Sequence, residues 1–101
     1  YARPSIVRGT ILVASSIAAV LFDTGASVSF ISAHFVNLLN LPTELLSFSM
    51  EMATPLGKKR EQVLRCPSCA LYMSIVEMEW DFLVLDMDLF DVILGMDWLV
   101  R

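Results

Sequence analysis

Charge is scarce in this chain of 101 residues: 18% are Asp, Glu, Lys or Arg, against about a quarter in an ordinary soluble domain. Seven residues are basic, and the formal net charge is −4. The one basic run, Lys58-Lys59-Arg60, has the length of a solvated turn, so the basic stripe of a nucleic-acid-binding surface is missing. The two cysteines, Cys66 and Cys69, are close neighbours, which excludes a disulfide framework spanning the fold. Histidine occurs once, at His34, where it reads as a helix-surface residue. A zinc site needs about four ligands, so none is expected within one chain. The uncharged, mostly apolar run Gly9–Phe22 has 14 residues, short of the roughly 18–20 that cross a bilayer, and no membrane contact is expected. Internal repeats and low-complexity linkers are absent. The length rules out Rossmann, barrel and kinase enzymes and fits one domain, residues 1–101.

Apolar residues, by contrast, make up 56% of the chain. Disorder is excluded, because there is ample apolar surface to offset chain entropy. A domain near this size buries only about two-thirds of its unfolded surface, so part of the apolar remainder calls for a partner. Ser5–Val13 and Ile17–Phe22 read as strands joined by a turn at Ala14-Ser15-Ser16, and Val28–Ile31 as a third short strand. Ser32 is a good N-cap for a helix over Ala33–Leu39, which Asn40 and Pro42 end. Leu45–Met52 and Lys58–Leu64 read as a hairpin around Thr54-Pro55-Leu56-Gly57, with Phe48, Met50 and Met52 on one side. Ala70–Val76 and Trp80–Leu85 read as two more strands, with their turn at Glu77-Met78-Glu79. After an acidic loop, Asp86–Asp91, a short strand Val92-Ile93-Leu94 closes on Gly95, and a helix starts at Met96. The expectation is an all-β domain with one or two short helices.

One motif carries chemistry: Leu21-Phe22-Asp23-Thr24-Gly25-Ala26-Ser27. A carboxylate follows directly on a buried apolar strand, in a loop tight enough to need glycine, so it is aimed from a rigid sheet end. Read alone, Asp23 could simply form an Asx-turn. With Val92-Ile93-Leu94-Gly95 about 70 residues later, the motif resembles the retropepsins, the homodimeric aspartic proteases of retroviruses and retrotransposons. Val20–Ser32, Ala53–Gly57 and Leu83–Leu99 resemble proteases of plant gypsy-type long-terminal-repeat retrotransposons in particular, and the resemblance covers roughly residues 9 to 99.

The resemblance implies a retropepsin-like closed β-barrel, half of a two-fold dimer. Asp23 would be catalytic, with Thr24, Gly25 and Ala26 supporting its loop. Met52, Thr54, Pro55, Leu56 and Gly57 would form a flap over an extended polypeptide substrate, and Ile93, Leu94 and Gly95 would pack behind the catalytic loop. No cofactor and no metal are implied, and the location would be cytoplasmic, within virus-like particles. The family's last strand, which joins the termini of two subunits, would fall beyond Arg101, and Tyr1 in place of Met reads as an excised piece of a longer chain.

The residues agree with this chemistry. Peptide hydrolysis by carboxylates needs a pair, one to take a proton from water and one to protonate the carbonyl oxygen. The chain has one Asp-Thr-Gly, and Asp81, Asp86, Asp88, Asp91 and Asp97 lack that setting. A second copy related by a two-fold axis would complete the site. The rival expectation is a non-catalytic protease-like remnant that binds peptides or dimerises. Cys66 and Cys69 read as reduced structural thiols, because a thioredoxin-like pair would need a βαβ setting.

Overall fold

The structure is a computed structural model that describes residues 6–101; within its strands the side chains of residues 6, 50, 52–54, 59 and 61 lie outside the description. The chain runs β1 (Ile6–Val13), β2 (Ser16–Asp23), β3 (Phe30–Ser32), α1 (Ala33–Leu39), β4 (Glu44–Thr54), β5 (Gly57–Met73), β6 (Val76–Leu85), β7 (Val92–Leu94) and α2 (Met96–Leu99). Ser5, expected to begin the first strand, lies outside the described residues.

The sheet order is β1-β2-β7-β3-β6-β5-β4, and β1 also pairs with β5 through Leu12↔Tyr72 and Val13↔Leu71. That pairing closes a barrel of six strands, β1-β2-β7-β3-β6-β5, and leaves β4 outside it on the edge of β5. Closure removes the open edge that a sheet of short strands would otherwise present. Two neighbours are parallel, β2 with β7 and β3 with β6, and the others are antiparallel.

The interior is made by alternation. Ile11 and Val13 of β1, Ala18 and Val20 of β2, Ile31, Leu71, Phe82, Val92 and Leu94 all face inward and are buried, while Leu12 and Ile17 face out. α1 plugs one side with Phe35 and Val36. Its start follows the sequence: the Phe35 N–H donates to Ser32 Oγ at 3.3 Å. Its end does too, with Asn40 left-handed at φ 53°. Among the described residues no helix is long and apolar enough to cross a membrane.

Three expectations are corrected. The segments expected as separate strands, Lys58–Leu64 and Ala70–Val76, belong to one strand, β5, because a β-bulge between Cys66 and Cys69 absorbs the irregularity at Pro67-Ser68 without ending the ladder. The following turn lies at Ser74-Ile75 rather than Glu77–Glu79: Ser74 supplies the left-handed conformation (φ 56°) that the reversal needs. Val28 precedes β3 instead of belonging to it; its carbonyl lies where a Cβ on Gly95 would have to sit.

Candidate active site

Asp23 is the last residue of β2, one step nearer the sheet than its loop setting in the sequence suggests. β2 is held on both sides there. Ile6↔Asp23 and Val7↔Phe22 pair it with β1, and Leu21↔Ile93 and Phe22↔Leu94 pair it with β7. The carboxylate therefore projects from a strand end fixed on two flanks, and its half-buried position keeps one side open to solvent. The Gly25 N–H donates to Asp23 Oδ1 at 2.8 Å, and the Ala26 N–H to the Asp23 carbonyl at 3.2 Å. The Asx-turn is thus present, and it orients the carboxylate by tying Oδ1 to the loop. Thr24 and Gly25 are exposed, and Ala26 is partly covered.

Behind the loop, Gly95 is buried, and a Cβ there would sit 2.5 Å from the Val28 carbonyl oxygen and 2.7 Å from that of Ala26. Only glycine permits that approach. The close fit is used at once: the Met96 N–H donates to the Ala26 carbonyl at 2.7 Å and the Asp97 N–H to the Ser27 carbonyl at 3.2 Å. The start of α2 thereby grips the Asp-Thr-Gly loop by its backbone. Ile93 and Leu94 lie alongside β2, opposite Leu21 and Phe22.

Two polar residues in this support are invisible as a sequence motif. Ser29, almost fully buried, donates from Oγ to Asp97 Oδ1 at 2.6 Å and accepts from the Gly95 N–H at 3.0 Å. Asp97 also accepts from the Ser29 N–H at 3.2 Å, the Trp98 N–H at 2.8 Å and Trp80 Nε1 at 3.4 Å. A carboxylate accepting several hydrogen bonds is well satisfied, and here it ties the loop, α2 and β6 together. Phe22 and Trp98 meet beneath the loop with ring centroids 6.0 Å apart.

The hairpin of β4 and β5 closes with Thr54 opposite Gly57, leaving Pro55 and Leu56 as a two-residue tip. Gly57 has φ 117°, a conformation few side chains adopt, and Leu56 is fully exposed. The side chains of Met50, Met52 and Thr54, which the sequence singled out, lie outside the description. Among the described residues no group of three or more His, Cys, Asp and Glu could hold a metal ion.

A search of curated proteins finds none that matches. Among solved structures, the EIAV protease complexed with the inhibitor HBY-793 is similar in fold, with a TM-score of 0.68 and 21% sequence identity, over 99% of this chain and 90% of that one. The family model for retroviral aspartyl protease matches residues 1–101, and the chain belongs to that family.

Proposed function

We propose that the chain is an aspartic endopeptidase that acts as a homodimer, cutting an extended polypeptide such as a retrotransposon polyprotein. The observation that carries this reading is Asp23 itself: one carboxylate at a doubly flanked strand end, oriented by the Gly25 N–H, in a chain with a single Asp-Thr-Gly. The second carboxylate comes from Asp23 of a second copy across a two-fold axis.

Two carboxylates about 3 Å apart repel by roughly 5 kcal/mol at an effective dielectric near 20, so the pair shares one proton, the known behaviour of aspartic-protease dyads. A water held between them supplies the nucleophile. The ionised carboxylate takes its proton as the oxygen attacks the peptide carbonyl carbon, and the protonated one donates to the carbonyl oxygen. Return of a proton to the amide nitrogen lets the carbon–nitrogen bond break. No acyl-enzyme forms. The β4–β5 hairpin, with Pro55 and Leu56 at its tip, closes over the peptide and excludes water, and Gly57 gives the tip its turn. The peptide binds extended, adding its backbone to the site as a strand.

Asp23→Asn tests the reading. The Asn side-chain oxygen still accepts from Gly25, so the variant folds with little loss of stability, while cleavage of an extended peptide falls by at least about three orders of magnitude, as loss of an essential acid–base group requires. Cleavage at the wild-type rate by a folded Asn variant would refute Asp23 as the catalytic acid, and a folded, dimeric wild-type chain that cleaves nothing would favour the non-catalytic reading.

A further inference from the structure

We propose that Cys66 and Cys69 are a peroxide-responsive dithiol, which closes to an intramolecular disulfide inside the β5 bulge. The inference goes beyond the peptidase reading and does not depend on it.

Residues three apart on a regular strand face opposite ways and lie about 10 Å apart. The bulge changes both facts. Cys66 is opposite Phe82 and Cys69 opposite Trp80, so four residues of β5 face three of β6. Both cysteines therefore point inward, with exposures of 1% and 5%, while Ser68 is turned out at φ 50°. Their partners are two residues apart on β6, which sets the cysteine backbones about 6.8 Å apart at a strand rise of roughly 3.4 Å. That is the upper end of the roughly 4.4–6.8 Å that a disulfide spans. The thiols are free, and each is the largest influence on the other's acidity. A disulfide at this span is the reducible, labile kind rather than a structural staple.

The pair is also divided by role. The neighbouring Cys69 lowers the Cys66 thiol, against burial and the charge of Asp81, while Cys66 together with burial raises Cys69. Cys66 is the nucleophile and Cys69 keeps the proton. A surface cavity of about 440 Å³ lies over the bulge, lined by Ser68, Glu79, Trp80, Asp81 and Asp97, and the two thiols are buried behind it. Burial of the thiols, with three carboxylic acids among the five side chains of that cavity, favours a small neutral oxidant over a bulky anionic one such as glutathione disulfide.

The step balances with hydrogen peroxide. The Cys66 thiolate attacks one peroxide oxygen, the O–O bond breaks, and the departing hydroxide takes up the proton Cys66 released, leaving a sulfenic acid and water. The Cys69 sulfur then attacks the sulfenic sulfur, the S–O bond breaks, and a second water leaves with the Cys69 proton. Two thiols and one peroxide become one disulfide and two waters.

The test is intact mass spectrometry of the reduced wild-type chain after mild peroxide. The expected result is loss of two hydrogens, mapped to a Cys66–Cys69 crosslink and reversed by dithiothreitol. Glutathione disulfide at equal concentration should act at least about tenfold more slowly. Cys69→Ser should stop at a Cys66 sulfenic acid that dimedone traps. Because that variant could fail to fold, the wild-type mass pattern decides alone. Stepwise oxygen addition without loss of two hydrogens overturns the proposal. So does a crosslink between chains, or thiols left intact where a synthetic peptide of the same segment oxidises.

Discussion

Gly95 shows how little room a single residue has here. An added Cβ would meet backbone oxygens of Val28 and Ala26 at 2.5 and 2.7 Å, and backbone cannot swing aside as a side-chain tip can. Gly95→Ala is expected to cost about 1–3 kcal/mol, the usual range for overpacking. For a domain of this size that is a melting shift of about 4–8 °C per kcal/mol. Thermal unfolding checks it, and peptide cleavage should fall as well, because the displaced atoms belong to the catalytic loop. Gly95 was legible in the sequence as the close of an apolar strand. Asp97 was legible only as one acid among several that lacked the catalytic setting. Its work is to receive Ser29 from 68 positions earlier and Trp80 from the neighbouring β6, and no local pattern encodes partners that only the fold brings together.

Elements follow the same division. α1 was readable at both ends because its signals there are local: Ser32 caps it and Asn40 turns left-handed. The turns were less so. Ala14 and Ser15 join β1 to β2 with φ 47° and 69°, both in the left-handed region where Gly and Asn are favoured, and neither residue advertises it. Ser74 does the same between β5 and β6. The ladder overrides the propensity: with Val13 paired to Ser16, two residues must reverse the chain whatever they are. A left-handed residue other than glycine or asparagine carries a strain of about 1 kcal/mol, so Ser15→Gly or Ala14→Asn should stabilise the domain by up to that amount. Denaturant unfolding reads the change as a higher midpoint at unchanged slope. No gain in midpoint would mean that the strain is already relieved in the native turn. The β5 bulge belongs here too, because Cys-Pro-Ser-Cys looked like a break between strands and is a kink within one.

At the scale of the molecule, two closures matter and the sequence spoke to them unequally. Barrel closure depends on β1 meeting β5 over only Leu12–Val13 and Leu71–Tyr72, a pairing between segments nearly 60 residues apart that followed from family resemblance and not from pattern. The second closure, the proposed completion of one site by two chains, rests on counting a single Asp-Thr-Gly, and it makes a quantitative prediction. Take a fixed amount of wild-type chain at a concentration where it is fully dimeric, and add an equal amount of Asp23→Asn. If chains re-pair freely, about a quarter of all dimers carry two acids, and since the dimer pool has doubled, the activity is about half that of the wild type alone. If each chain carried a whole site, the added variant would change nothing. Dilution gives the same answer by another route. Specific activity per chain should fall once the concentration drops below the dimer dissociation constant, and mass action sets that fall without any loss of fold. A chain whose peptidase activity per mole stays constant on dilution into the monomeric range, with circular dichroism unchanged, would have to house its second acid within itself, and Asp23 would then have a partner other than its own copy.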